Sequence, residues 1–255
     1  MNTDNTGKQN LQNDLKESLR YLKLPFMAEH YKKTAAIAAS KQWSHMDFFT
    51  MLIEQETEAK KDRAVQRRIK QARFPVIKTL DQFQWTWPDT INRLQVEHLF
   101  GLEFVEQKEN VIFLGGVGLG KTHLSTALAY QACLNGFSVL FTTAIDVINA
   151  LTAAQAAERF QTELRKCLKP NLLVLDELGY LPIDKHGADL LFQVISHRYE
   201  QGAMIVTTNR AFKNWAEIFN NDTTLTSALL DRMLHHAETV LIEGKSYRMK
   251  DIIDR

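Results

Sequence analysis

"FLGGVGLGKTH", Phe113 to His123, decides the fold of this 255-residue chain. It sets Gly115, four residues, Gly120, Lys121 and Thr122 directly behind the apolar run Val111 to Leu114. Glycines let a backbone turn tightly enough for successive N–H groups to face phosphate oxygens, and the helix that follows offers its positive N-terminal end. The cradle comprises Gly115, Gly116, Val117, Gly118, Leu119, Gly120, Lys121, Thr122 and His123. Lys121 is placed to reach the β- and γ-phosphates of ATP, and the Thr122 hydroxyl to ligate Mg2+.

A second apolar strand, Leu172 to Leu175, delivers Asp176 and Glu177 at its C-terminal end, where ligands gather in parallel sheets. Asp176 suits the metal's water shell, and Glu177 suits an attacking water, which favours ATP hydrolysis over phosphoryl transfer to a metabolite. "AMIVTTN" ends in Thr207, Thr208 and Asn209, and the Asn209 amide can orient water because it donates and accepts at once. "TSALLDRMLHH" reads as a helix carrying Arg232. From the residues alone Arg232 is either a solvated surface charge or an arginine offered to a neighbouring subunit's γ-phosphate, with Arg210 and Arg198 as equal rivals.

Around these motifs the rhythm from Asn110 onward is strand, turn, helix: "NVIFL", "SVLFT", "NLLVLDE", "AMIVTTN" and "ETVLIE" are separated by helical patterns. The expectation is an α/β domain over 110–255 with a mostly parallel central sheet, preceded by a smaller all-helical N-terminal domain over 1–75 and a linker over 76–109. Leu11, Leu15, Leu19 and Leu22 predict a first helix, and a second follows Pro25. Ser44 and Asp47 form a capping-box pair ahead of one long helix, about Met46 to Arg73. "TLDQFQWTWPDT" reads as an extended, packed joint. The formal charge is only +1, but residues 1–74 hold 14 Lys/Arg against 9 Asp/Glu, so the positive charge is N-terminal. Cys133 and Cys167 are too few for a disulfide framework and too far apart for a zinc pattern, and no apolar stretch approaches the roughly 20 residues that span a bilayer. The expectation is a cytoplasmic protein with no membrane partner.

Taken together, "WSHMDFF", "ARFPVIKTLDQF", "LLVLDELGYLPID", "LFQVISHRYEQGAMIVTTN", "TSALLDRMLHH" and "GKSYR" resemble the IstB-type AAA+ ATPases, helper proteins of insertion-sequence transposition related to the DnaC helicase loaders. The resemblance runs from about Leu11 to Arg248. It implies a P-loop AAA+ core whose phosphate loop is a Walker A and whose "LLVLDE" is a Walker B. It further implies self-association into an ATP-dependent homo-oligomer on double-stranded DNA and recruitment of a partner transposase. Carried over, it makes Arg232 the trans-acting finger and Arg248 a second phosphate sensor. Gly116 stands where this loop commonly has Pro, and "TTNR" where relatives often show Thr-Ser-Asn, which keeps the Asn.

Between residues 60 and 73 lie seven basic residues and one acidic. Lys60, Arg63, Arg67 and Lys70 form one helical stripe, joined by Arg68 among the candidate DNA-binding residues. Charge alone fits either a phosphate-tracking surface or a solvated face balanced by Glu54, Glu56 and Glu58, and the resemblance favours DNA. The alternatives are a DnaC-like replicative helicase loader, a non-catalytic nucleotide-dependent binding module, which Glu177 argues against, and a metabolic kinase, which leaves the basic helix unexplained.

Overall fold

The longest run of helix-forming residues begins where Ser44 and Asp47 close on each other. Ser44 Oγ accepts the Asp47 N–H at 3.1 Å, and Asp47 Oδ2 accepts the Ser44 N–H at 3.1 Å, so two orphan donors are satisfied reciprocally. From that cap runs α2 (His45–Ala72), preceded by α1 (Pro25–Ser40) and by helical residues 14–21. This computed structural model describes residues 14–87 and 90–247, so the expectation for Leu11 lies outside the described residues. The chain divides into two compact units, Met1–Arg67 and Arg68–Arg255.

The first unit is small. Leu19, Met27, Ala28 and Leu52 form its core, with Leu24, Tyr31 and Phe48 against them. Pro25 starts α1 without an N–H to satisfy, and the Met27 N–H donates to Glu56 Oε2 at 2.9 Å. Glu56 is 3% exposed. A buried carboxylate needs partners for both oxygens, and Arg63 Nη2 supplies the other bond at 2.8 Å.

In the second unit, runs such as Leu172 to Leu175 have no polar side and are stable only where both faces of a sheet are covered. Strands β1 (Thr90–Ile91), β2 (Asn110–Gly115), β3 (Val139–Thr143), β4 (Leu172–Leu178), β5 (Ala203–Thr208) and β6 (Ala237–Glu243) make one sheet in the order β1-β6-β2-β5-β4-β3. All pairings are parallel except that of β1 with β6, so the mostly parallel α/β fold read from the sequence is the one observed. Alternation sends Val111, Phe113, Leu172, Val174 and Ile205 into one core and Ile112, Leu173, Leu175, Met204 and Val206 into the other. The first core is closed by α3 (Arg93–Leu99), α4 (Glu103–Gln107) and α5 (Lys121–Leu134). The second is closed by α6 (Ala144–Ala156), α7 (Phe160–Leu168), α8 (Lys185–Arg198), α9 (Trp215–Ile218) and α10 (Thr223–Leu234).

The described residues of 76–109, expected as a linker, fold with this sheet. Thr90 and Ile91 pair with Glu243 and Ile242, Asn92 caps α3 through the Gln95 N–H, and Phe83, Val96, Leu99, Leu102, Phe104 and Val105 are buried in the first core. The physical reason is that this apolar content is too large to leave in water. No described helix is long and apolar enough to cross a membrane.

One buried cation fastens the edge away from the phosphate loop. Arg198 is 1% exposed, and its guanidinium donates to five carbonyls, those of Cys167, Leu168, Pro170, Asn171 and Ala203, at 2.6 to 3.3 Å. Burial draws its pKa down to about 10, which still leaves it charged at neutral pH. This placement removes Arg198 from the candidates for a finger reaching another subunit. Arg198→Ala strands those carbonyls and is expected to cost at least about 3 kcal/mol, read as a lowered urea midpoint; an unchanged midpoint refutes the staple.

Candidate nucleotide-binding site

β2 ends at Gly115 because nothing larger fits there. A Cβ on Gly115 collides with the Ile242 carbonyl of the neighbouring strand. The loop then turns through Gly118 (φ +78°) and Gly120 (φ +90°), a left-handed backbone that side chains resist. A Cβ on Gly118 meets the Ser246 hydroxyl, and one on Gly120 lies 2.6 Å from the Phe83 ring. Gly120 caps α5, so the first N–H groups of that helix open at the loop. Leu119 anchors the loop in the first core, while Val117 is exposed. Lys121 Nζ donates to the carbonyls of Gly115 at 2.8 Å and Gly116 at 2.6 Å, which fixes the ammonium at the mouth of the cradle.

Across the loop, Thr122 Oγ1 donates to both oxygens of Asp176 at 3.1 Å. Asp176 is 4% exposed, and its Oδ1 also accepts from Thr207 Oγ1 at 2.5 Å. The ends of α5, β4 and β5 thus meet at one carboxylate. The oxygen donors of Thr122 and Asp176, with no sulfur or imidazole bonded to them, fit a hard cation such as Mg2+.

Glu177 is exposed and sits at φ +61°, left-handed for a residue with a Cβ, at a cost of roughly 1–2 kcal/mol. The cause is a register shift in β4 between Leu175 and Leu178. The shift takes the Glu177 N–H out of the ladder, and it donates instead to Thr207 Oγ1 at 2.9 Å. The sequence predicts plain alternation here, and the bulge is what turns the carboxylate outward beside Asp176. Asn209 follows β5 with Oδ1 buried and without a partner among the described residues, an acceptor left open beside the site.

The structure adds groups that motif reasoning missed. A cavity of about 540 Å³ beside the loop is lined by Val76, Phe83, Trp87, Lys121 and Tyr247 among others. The Tyr247 N–H donates to the Gly118 carbonyl at 3.0 Å, and Trp87 Nε1 donates to the Lys245 carbonyl at 2.9 Å. Those bonds draw the aromatic joint and the "GKSY" segment onto the phosphate loop. The signals were present as the Phe83, Trp85, Trp87 alternation, without any local indication of what they faced. His123, read as part of the cradle, donates from Nε2 to the Thr79 carbonyl at 2.9 Å and packs edge-on to Phe83. It therefore fixes the cavity wall. A second cavity, about 930 Å³, starts at Thr122, Asp176 and Glu177 and runs along β3.

Arg232 on α10 is half-buried, donates to the Ala228 carbonyl at 2.8 Å and stacks over Phe192. Arg210 is exposed, 3.6 Å from Glu217. Arg248 lies outside the described residues. In the basic stripe, Lys60, Arg63, Arg67 and Lys70 are exposed, with Arg63 bound to Glu56, and Arg68 Nε donates to the Cys133 carbonyl at 2.9 Å.

The model of the IstB-like ATP binding protein family matches residues 17–254. A Pseudomonas aeruginosa protein named for ATP binding in insertion sequence IS21 is 40% identical over 238 residues, which are 93% of this chain and 89% of that one. A Geobacillus stearothermophilus protein named likewise for insertion sequence IS5376 is 38% identical, covering 90% of this chain and 91% of its own length. Among solved structures, the DnaC helicase loader superposes with a TM-score of 0.52 at 21% identity, over 64% of this chain and 96% of that one, a likeness of fold.

Because Thr207 serves both Asp176 and the Glu177 N–H, Thr207→Val is expected to destabilise folding by about 1–3 kcal/mol while Thr207→Ser keeps most of the stability. Chemical denaturation of the two variants checks this; equal losses refute the hydroxyl's role.

Proposed function

Because the chain belongs to the family of IstB-like ATP-binding proteins of insertion sequences, we propose that it is a transposition helper that binds and hydrolyses ATP at the Thr122–Asp176 junction while assembled on duplex DNA. The observation that carries the reading is that junction: a buried carboxylate bridging the hydroxyls of Thr122 and Thr207 at the mouth of a glycine cradle. The loop N–H groups and the start of α5 receive the phosphates, and Lys121 exchanges the Gly115 and Gly116 carbonyls for β- and γ-phosphate oxygens. The aromatic cavity of Phe83, Trp87 and Tyr247 takes the base. Thr122 and Asp176 would hold Mg2+, which would supply charge neutralisation at the phosphates. Glu177 accepts a proton from a water whose oxygen attacks the γ-phosphorus as the bond to the β-phosphate oxygen breaks, giving ADP and phosphate. Asn209 Oδ1, buried and open, orients that water.

The cavity along β3 leaves the γ-phosphate side accessible, which supports completion of the site by a second copy. Arg232 from that copy stabilises the transition-state charge; its perch on Phe192 is a stacked contact that can be exchanged. Of the exposed residues of the stripe, Lys60, Arg67 and Lys70, which are not committed to Glu56 as Arg63 is, carry phosphate contacts with duplex DNA. The assembled surface recruits the partner transposase. The helicase-loader alternative retains a likeness of fold at 21% identity, whereas relatives at 38–40% identity are named for insertion sequences.

Glu177→Gln and Arg232→Ala are each expected to bind ATP and to lose at least about 100-fold in turnover. Mixed in equal amounts they regain up to about a quarter of parental turnover, because a random mixture pairs one intact Glu177 with one intact Arg232 at that fraction of junctions. No recovery in demonstrably mixed oligomers overturns the trans arrangement. Separately, Arg67→Ala with Lys70→Ala lowers duplex affinity and flattens the plot of log affinity against log salt by about 2, measured by fluorescence anisotropy; an unchanged slope removes the stripe from the interface.

A further inference from the structure

Two turns that the nucleotide site does not use meet at the edge of the sheet where β5 and β6 begin. One leaves α8 toward β5 through Tyr199 and Glu200; the other leaves α10 toward β6 through His235 and His236. Buried groups pin both backbones. The N–H groups of Gln201 and Gly202 donate to the Arg198 carbonyl, and the Arg198 guanidinium holds the Ala203 carbonyl. Glu200 is thereby kept at φ +57°, a left-handed conformation. On the other turn the His236 carbonyl accepts from the Asn110 N–H at 2.8 Å, and Asn110 Nδ2 donates to the Met233 carbonyl at 3.0 Å.

From these fixed turns three side chains converge. One ligand atom each from Glu200, His235 and His236 lies within 4.8 Å of the other two, and all three residues are exposed. His236 Nε2 is 3.8 Å from Glu200 Oε1, and the two imidazole centroids are 4.1 Å apart. Tyr199 supplies a second, independent feature: its hydroxyl shares a 2.7 Å hydrogen bond with His235 Nδ1. That bond fixes the ring and leaves Nε2 as the nitrogen available to a cation. An oxygen held on the far ring nitrogen is the usual support of a metal-binding histidine.

We propose that Glu200, His235 and His236 form a binding site for a divalent transition cation of borderline softness, best matched by Zn2+, with Tyr199 as its positioning residue. Two imidazoles and one carboxylate, with further positions open to water, is a donor set that zinc accepts. Nitrogen and oxygen ligands at about 2.0–2.2 Å in a tetrahedron stand roughly 3.4 Å apart, so these exposed side chains need close by at most about 1.4 Å. Mg2+ and Ca2+ prefer all-oxygen shells and are poorly served here. Asp231 and Arg232 both act electrostatically on Tyr199 with opposite sign, so the site has no net surplus of anionic charge from them beyond the Glu200 carboxylate itself. The site does not rest on the nucleotide reading.

The test uses the full chain, prepared without a histidine tag and stripped with a chelator. Co2+ is titrated while visible absorption is recorded, and Zn2+ is then added as competitor. The expected result is a d–d band saturating at one ion per chain and displaced by Zn2+. His235→Ala with His236→Ala abolishes the band, and Glu200→Gln and Tyr199→Phe each weaken Zn2+ binding by about 10- to 100-fold. Far-UV circular dichroism of each variant verifies the fold; if the double histidine variant does not fold, Tyr199→Phe and Glu200→Gln decide. Absence of the band, or affinity indifferent to those substitutions, overturns the site and leaves Glu200 and His236 as a surface contact.

Discussion

A carboxylate that is almost fully out of water must be satisfied from every side, and Asp176 is the point on which the α/β core closes. Its oxygens take the hydroxyls of Thr122 and Thr207, so the phosphate loop, β4 and β5 are held to one another at the C-terminal edge of the sheet. The same Thr207 oxygen accepts the Glu177 N–H that the bulge releases from the ladder. The bulge is thus tolerated because its orphaned donor has a partner, and a charged, exposed side chain ends up beside a buried one. Adjacent carboxylates with opposite solvation suit opposite tasks: the buried one a fixed ligand, the exposed one a proton acceptor.

The opposite edge of the sheet is built on another buried charge. Arg198 gathers five carbonyls from the end of α7, the α7–β4 connection and the start of β5. It also braces the turn that presents Glu200. A guanidinium suits this role because it spreads donors in a planar fork and stays charged even where burial lowers its pKa to about 10. The same burial pushes the thiols of Cys133 and Cys167 up to about 11, so neither is poised as a nucleophile at neutral pH.

The long helix shows how one sequence pattern can carry two kinds of charge. A stripe of basic residues at three- and four-residue spacing reads as uniform, yet Arg63 is committed to a buried glutamate and Arg68 to the carbonyl at the end of α5. Lys60, Arg67 and Lys70 are exposed and take no part in that ion pair. Spacing places residues on a helix face; it does not say which of them the rest of the fold has already engaged.

Local rules in the sequence determined the Ser44–Asp47 cap, the long helix, five of the six strands and the glycine loop, because hydrogen-bonding caps, apolar runs and phosphate loops obey constraints spanning a few residues. Tertiary structure alone decided that residues 76–109 join the core, that the Thr90–Ile91 strand pairs with β6, that Trp87 and Tyr247 border the phosphate loop, and that Arg198 is buried. Those outcomes turn on which surfaces meet between distant parts of the chain, 31 residues apart for Arg198 and Cys167, 158 for Trp87 and Lys245 and 123 for Asn110 and Met233, and on the need of each buried polar group for a partner.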